Sequence, residues 1–397
     1  MSDALLGPVE VVGTGLLGTS IALACRRAGL EVLLTDLSPD HLRTASALGA
    51  GRARVAGDRP QLVVVAVPPD HLGEAIAAAL RASDAVVTDV GSVKSGPLAA
   101  VAGEPGVRRY VGGHPMAGSE RSGPLAAAAD LFEGRPWAVT PHPGADPAAV
   151  ALVERLAELC NAVVVRLSPE DHDRAVARTS HVPHLVASLV AGRLADAPAD
   201  YLKLSGQGVR DVTRVAAGSP ELYGQIVAAN SAAVVDLLTE VRAGLDTMIR
   251  ALTDADRDGL RTLLDLGVDG TRAIPGKHGG PVRPMASVFV SVPDEPGVLA
   301  RLFAAAGEAG VNLEDVRIDH DLGRAATPRE VLDLPDPEVP SIATTRGLLT
   351  GPQPTGASPN PEIPARPAGA RRATPRPASR RDRRRGRGRG RCGRPRC

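Results

Sequence analysis

Near the start of the chain a short β-forming run, Val9-Glu10-Val11-Val12, is followed at once by Gly13-Thr14-Gly15-Leu16-Leu17-Gly18 and an apolar helical stretch from Leu17 to Ala28. A strand, a glycine turn and a helix in that order can hold a pyrophosphate. Gly13 makes the tight turn, Gly15 lets a phosphate approach the backbone, and Gly18 lets helix and strand pack closely. Gly13, Gly15, Leu16, Leu17 and Gly18 are therefore the expected phosphate cradle, because the helix N-terminus presents free N–H groups and the positive end of its dipole. Asp36 ends a second strand, Glu31 to Thr35, eighteen residues after Gly18. A carboxylate there accepts hydrogen bonds from a ribose diol and repels a 2′-phosphate, so the expected cofactor is NAD rather than NADP. The blander reading of Asp36 is a cap on the turn at Ser38-Pro39.

Two further stretches carry reactive types. Thr88-Asp89-Val90-Gly91-Ser92-Val93-Lys94 follows a strand, Ala85 to Asp89, and ligands of open parallel sheets bind beyond the carboxyl ends of strands. Ser92 and Lys94 therefore fall near the nicotinamide end, unless the stretch is only a loop with Ser92 as a helix cap. His114 lies in Val111-Gly112-Gly113-His114-Pro115-Met116-Ala117-Gly118-Ser119-Glu120, read as a loop whose glycines hold the backbone tightly against a neighbour. A histidine that titrates near neutrality suits proton removal from an alcohol during hydride transfer. Farther on, His172, His181 and His184 lie along one helical stretch, and His181 and His184 share a face at i, i+3. They are either site residues or buried structural histidines. No carboxylate or cysteine partner at ligand spacing is evident, so no metal is expected.

These elements imply an architecture. Strands at Leu62 to Val67 and Trp137 to Thr140 join those above, separated by helices, which predicts an α/β Rossmann-type sheet over residues 1–145. Helices at Pro147 to Leu159, Ser168 to Leu194, Pro220 to Ile249 and Asp254 to Ala273, with a short strand at Ala162 to Val165, predict an all-helical domain over 146–275. Residues 276–285 read as a linker. Strand, helix and strand then follow over 286–324, at Ala286 to Val292, Gly297 to Ala309 and Leu313 to Asp319. After Arg324 the apolar period vanishes, and 325–397 read as a disordered low-complexity tail.

The glycine turn with Asp36, the Gly91-Ser92-Val93-Lys94 and Gly112-Gly113-His114-Pro115-Met116-Ala117-Gly118 stretches, His172-Asp173, and Ser180-His181-Val182-Pro183-His184 together resemble the prephenate dehydrogenase family over roughly residues 8 to 275. The resemblance implies an NAD-dependent oxidative decarboxylation of prephenate in tyrosine synthesis, with arogenate as the alternative substrate. It implies that His114 takes the proton of the ring hydroxyl and that Ser92 orients that hydroxyl. It assigns Arg214, in Gly208-Val209-Arg210-Asp211-Val212-Thr213-Arg214, to the substrate's ring carboxylate, with Arg210 beside it; a guanidinium can grip a carboxylate bidentately. It places His181 and His184 near the active-site mouth or the domain interface, and implies a homodimer built on the helical domain. Pro293-Asp294-Glu295-Pro296-Gly297-Val298-Leu299-Ala300 and Val311 to Ile318 resemble the first half of an amino-acid-sensing ACT domain, which needs a βαββαβ order. The break after Arg324 reads as a reading-frame change inside that fold, with feedback by tyrosine expected to be lost.

Composition sets the remaining bounds. The net charge of +1 conceals a basic end: residues 366–397 hold fourteen Arg and one Asp, a net +13 against −12 for the rest. Nucleic-acid binding could rest only on that end, which has no aromatic residue to stack bases and is not the favoured reading. Four cysteines without metal spacing, no signal peptide and no membrane-length apolar run lead to the expectation of a reducing cytoplasm. A non-catalytic NAD and amino-acid sensor would need none of Ser92, His114 and Arg214. A β-hydroxyacid dehydrogenase would use a helical-domain lysine, and Lys203 lacks the surrounding pattern.

Overall fold

The computed structural model describes residues 4–118, 122–275, 286–292, 295–311, 315–319 and 329–334. The expected linker at 276–285, the residues Ser119 and Glu120 beside the histidine segment, and the tail apart from 329–334 lie outside the described residues. Two compact units divide the chain at Arg283 and Pro284.

The first unit begins with β1 (Val9–Val12), α1 (Leu16–Arg27), β2 (Val32–Thr35), α2 (Pro39–Ala47), β3 (Arg52–Ala53) and β4 (Leu62–Val65). It continues with α3 (Leu72–Ala82), β5 (Val86–Asp89), α4 (Ser95–Val101), β6 (Tyr110–Pro115), β7 (Pro136–Thr140), α5 (Pro147–Leu159) and β8 (Val163–Arg166). The strands form one sheet in the order β3-β2-β1-β4-β5-β6-β7-β8, parallel throughout except at β6–β7. Leu62-Val63-Val64-Val65 shows why the sheet is buried on both faces. Leu62 and Val64 join the core under α1 and α5, while Val63 and Val65 join the core under α3. Alternate side chains of a strand point to opposite faces, so a continuous apolar run needs a helical layer on each. The one charged residue inside β1, Glu10, is paired with Arg54 at 2.9 Å and accepts from Thr35 Oγ1 at 2.9 Å.

Three expectations are corrected here. The segment carrying His114 is a strand, not a loop: Gly112 to Pro115 pair antiparallel with Trp137 to Thr140. Tertiary pairing overrides the poor strand propensity of its glycines and proline. The sheet domain does not end at residue 145, because β8 pairs parallel with β7 and α5 packs on the sheet; the helical part begins at about 167. The expected single helix from Ser168 to Leu194 is α6 (Pro169–Val176), a wide turn of π type at Ala177–His181, and α7 (Val182–Gly192). Pro183 has no N–H to continue an α-helical ladder, which accounts for the break.

The helical part continues with α8 (Ala199–Leu202), α9 (Gln207–Thr213), α10 (Pro220–Ala229), α11 (Ser231–Thr253) and α12 (Arg257–Arg272). The expected helix from Pro220 to Ile249 is bent by 96° between α10 and α11, at Asn230. Val235, Val241, Leu245, Ile249 and Leu252 of α11 and Leu264, Leu266 and Val268 of α12 are all exposed in the single chain. No single described helix is long and apolar enough to cross a membrane.

The second unit holds β9 (Ala286–Ser291), α13 (Val298–Glu308), β10 (Asp315–Asp319) and β11 (Arg329–Leu334). β11 lies antiparallel between β9 and β10, with Leu332 opposite both Val288 and Val316. Loss of structure at Arg324 is therefore corrected: the sheet gains a third strand ending at Leu334, in the arrangement of a split βαβ. Its small core is Val290, Val292 and Val298.

Candidate active site

The glycine turn is built as its sequence demands. Gly13 has φ +96°, and a Cβ on it would collide with the Ala66 carbonyl; a Cβ on Gly18 would collide with the Gly13 carbonyl. Gly15 caps α1, and a Cβ there would meet nothing within 4 Å. Open space over a helix N-terminus without a side-chain cap fits a pyrophosphate. Leu16 and Leu17 begin the helix and are part-buried.

Asp36 follows β2 directly. Its Oδ2 accepts from Thr14 N at 2.6 Å and Thr14 Oγ1 at 2.7 Å, and its Oδ1 accepts from Ser38 N at 2.7 Å. Both sequence readings of Asp36 hold together, since it braces its own turn and faces the glycine turn. Partial burial pushes its pKa up, but the hydrogen bonds from Thr14 and Ser38 outweigh that and hold it below the usual carboxylate range.

His114 stands at the carboxyl end of β6 and Ser92 just beyond the carboxyl end of β5, neighbouring strands that run parallel at Val87–Tyr110 and Thr88–Val111. Both are part-buried. The strand reaches this position because its glycines are small. A Cβ on Gly113 would lie 2.8 Å from the Asp89 carbonyl, and one on Gly112 would lie 2.5 Å from Thr140 Oγ1 and 3.0 Å from Lys94 Cδ. Overpacking of this kind costs about 1–3 kcal/mol and would displace His114 with the strand. Beneath them, the buried Lys94 ammonium pairs with Asp89 and donates to the Gly113 carbonyl at 2.7 Å. Tyr110 donates its hydroxyl to Asp89 Oδ1 at 2.9 Å. Burial pulls the Lys94 pKa down against the pull of Asp89, and burial beside Asp89 drives the Tyr110 phenol well up. The segment bearing His114 is thus clamped from below by a buried ion pair.

The helical part supplies the other half. His114 Nδ1 is 2.9 Å from His172 Nε2, and His172 Nδ1 is 2.9 Å from Asp173 Oδ1. Asp173 also accepts from Lys94 N at 2.8 Å and Ser95 N at 2.9 Å, at the start of α4. These contacts dictate the ring tautomers. A carboxylate only accepts, so His172 carries its proton on Nδ1 and offers the lone pair of Nε2. His114 must then carry its proton on Nδ1, which leaves Nε2 with a lone pair and no partner among the described residues. Burial, with added repulsion from His172, Lys94 and His181, holds the His114 pKa well below 6.5. His114 is accordingly neutral at neutral pH, with its basic nitrogen free. Burial raises the Asp173 pKa, but its hydrogen bonds from His172, Ser95 and Lys94 lower it further, so it is ionised.

His181 sits beside this relay, held by Asn230. Only 1% of it is exposed, and its Nδ1 accepts from Asn230 Nδ2 at 3.1 Å. Asn230 also donates to the Asp173 carbonyl at 2.8 Å, and burial lowers the His181 pKa to about 4. His184 lies stacked on Tyr223, ring centroids 3.4 Å apart and 9° from parallel, with its Nδ1 buried and unpaired among the described residues. Arg210 on α9 and Arg214 in the turn after it are both exposed, and neither forms an ion pair among the described residues. Their segment packs on α7, which carries His184. No group of three or more metal-ligating side chains occurs among the described residues.

The sequence reading placed Lys94 near the nicotinamide end but missed the roles of Asp173 and Asn230. His172-Asp173 stood in the resemblance, but the partners of Asp173 lie 78 and 79 residues away. Asn230 was detectable only as a polar residue within an apolar helical run.

A doubly wound nucleotide-binding sheet, joined to a helical part that completes a histidine relay at the sheet's carboxyl rim, defines the two-domain class of nucleotide-dependent dehydrogenases. Comparison with known proteins narrows the class. Residues 21–166 match the family profile "Prephenate dehydrogenase, nucleotide-binding domain", and residues 168–266 match "Prephenate dehydrogenase, dimerization domain". The chain belongs to the prephenate dehydrogenase family. It is 38% identical to the probable prephenate dehydrogenase NovF of Streptomyces niveus, over 82% of this chain and 95% of that one. It is 29% identical to the prephenate dehydrogenase of Bacillus subtilis, over 80% of this chain and 88% of that one. Among solved structures, the Aquifex aeolicus prephenate dehydrogenase in complex with hydroxyphenyl propionate and NAD+ is similar with TM-score 0.63 and 28% identity, over 69% of this chain and all of that one. The Synechocystis arogenate dehydrogenase is similar with TM-score 0.57 and 28% identity, over 67% of this chain and 99% of that one.

Proposed function

We propose that this protein is an NAD-dependent prephenate dehydrogenase that converts prephenate to 4-hydroxyphenylpyruvate and carbon dioxide. The observation that carries the reading is the His114–His172–Asp173 chain, which prepares a neutral histidine with a free lone pair at the rim where a nucleotide's reactive end would lie. A sensor needs no such arrangement. The Gly13–Gly18 turn and Asp36 would hold NAD, which when bound accepts the hydride released by the ring carbon.

The residues of the chain do the rest. His114 Nε2 accepts the ring-hydroxyl proton, Ser92 orients that hydroxyl, and His172 with Asp173 steadies the imidazolium as it forms. As hydride leaves, the bond to the ring carboxylate breaks, its electron pair enters the ring, and carbon dioxide departs. The proton held by His114 returns to the oxygen, now phenolic, so no net proton is released. Aromatisation supplies the driving force, and the protein's task is orientation. Arg214, with Arg210 beside it, anchors the substrate as a carboxylate ligand, and His184 closes the pocket near them. Because both arginines are exposed in the single chain, a partner subunit completes their surroundings. The exposed apolar residues of α11 and α12 support a homodimer through the part matched by the dimerization profile. The buried thiols Cys25 and Cys160, neither in a disulfide, suit a cytoplasmic enzyme.

Arogenate is the second reading, because the Synechocystis arogenate dehydrogenase shares the fold at the same identity. Steady-state turnover of both substrates with NAD decides between them. The expected result is a kcat/KM at least tenfold higher for prephenate. A preference for arogenate keeps the chemistry and overturns the substrate, and no turnover of either by folded protein overturns the reading.

A further inference from the structure

Asp36 is not held by its own loop alone. Thr14, buried completely between Gly13 and Gly15, spends both its backbone N–H and its hydroxyl on the same carboxylate oxygen, at 2.6 and 2.7 Å. The Thr14 carbonyl in turn accepts from Thr19 Oγ1 at 2.9 Å, so the turn is fastened to the first helix of the domain. Ser38 N occupies one position on the other oxygen. A carboxylate has about four acceptor positions. Three are filled, and the remaining one lies on Oδ1. A side chain with two single bonds to rotate about would otherwise sample several rotamers, and each lost rotamer weakens the first ligand bond it makes.

We propose that Thr14 is a specificity-determining residue for the dinucleotide, acting through Asp36 by fixing its carboxylate in one orientation before the ribose arrives. The inference rests on the NAD reading given above and deepens it. Any residue at position 14 supplies the backbone N–H, but only a hydroxyl supplies the second bond. An ionised, immobile Asp36 offers its remaining Oδ1 position to a ribose hydroxyl and repels a 2′-phosphate; a swinging one does both less well. The lowered pKa of Asp36 agrees with this arrangement, since the Thr14 hydroxyl and amide both favour the charged form.

Binding without substrate separates this from catalysis. The full chain is titrated with NADH and with NADPH, following the enhancement of nicotinamide fluorescence. Thr14→Val keeps the shape and removes the hydroxyl; Thr14→Ala serves if the valine variant proves unstable in a melting scan. The expected result is NADH affinity about tenfold weaker, from loss of a hydrogen bond to a charged group. NADPH affinity should change little or improve, so that discrimination falls by about the same factor, and Thr14→Ser should restore it. On an Asp36→Ala background, Thr14→Val should have no further effect. Equal loss of both nucleotides, or an undiminished effect on that background, would show that Thr14 serves the turn alone and overturn the proposal. Failure of the unaltered protein to bind NADH more tightly than NADPH would instead overturn the cofactor reading beneath it.

Discussion

Replacement of His114 by Asn is expected to lower kcat by a factor on the order of 10² to 10⁴, with NADH affinity unchanged. The side chain has no role in the glycine turn, so cofactor binding should be blind to it. The pH dependence follows from the same geometry. The His114 pKa is held well below 6.5, so the basic form is already complete at neutrality. The acid limb of kcat/KM should therefore lie below pH 6.5, with a flat profile through pH 7, and the Asn variant should lack that limb. Steady-state kinetics across pH 5 to 8 measures both. A variant with more than about a tenth of the parental kcat would contradict the role of His114 as base.

Asp173→Asn should be nearly as damaging, although Asp173 touches neither substrate nor cofactor in this account. The carboxylate accepts three N–H groups, from His172, Lys94 and Ser95. An amide has only one accepting oxygen, so its NH2 must face either Ser95 N or the position that His172 and Lys94 N share. If it turns toward His172, that ring must move its proton to Nε2. His114 must then accept at Nδ1 and carry its own proton on Nε2, the nitrogen meant to be the base. A wrong tautomer with intact geometry has cost about 10⁴ in kcat in the serine-protease triad, and a loss of roughly 10² to 10⁴ is expected here. A positioning role is separated from a structural one by its signature. The loss should fall on kcat rather than KM, the melting temperature should drop by only a few degrees, and NADH should bind as before. If KM and NADH affinity change as much as kcat, Asp173 acts by docking the helical part and not through the histidines.

The contrast between these two residues shows how far the sequence could be read. His114 is legible because glycines on a rim announce close approach, and Gly112 and Gly113 do approach Thr140, Lys94 and Asp89. The nucleotide turn is legible for the same steric reason. The secondary structure around His114 is not, because Gly-Gly-His-Pro has no strand propensity and becomes a strand only by pairing with β7. β8 was placed in the wrong domain because Val163 to Arg166 is short and follows a helix; only its partner Pro136 to Val139 decides where it belongs. Asp173 and Asn230 stayed hidden because their partners lie far along the chain, and periodicity carries no information about a hydrogen bond that spans 57 to 79 residues.

Histidine nitrogen resonances test the central claim most directly. Protein labelled with 15N at histidine, compared with the His114→Asn variant, isolates the His114 pair of signals between pH 6 and 8. The account predicts a neutral ring throughout that range, with Nδ1 protonated and Nε2 bare. A ring protonated on Nε2, or an imidazolium that titrates near pH 7, would contradict the relay from Asp173 through His172 to the base.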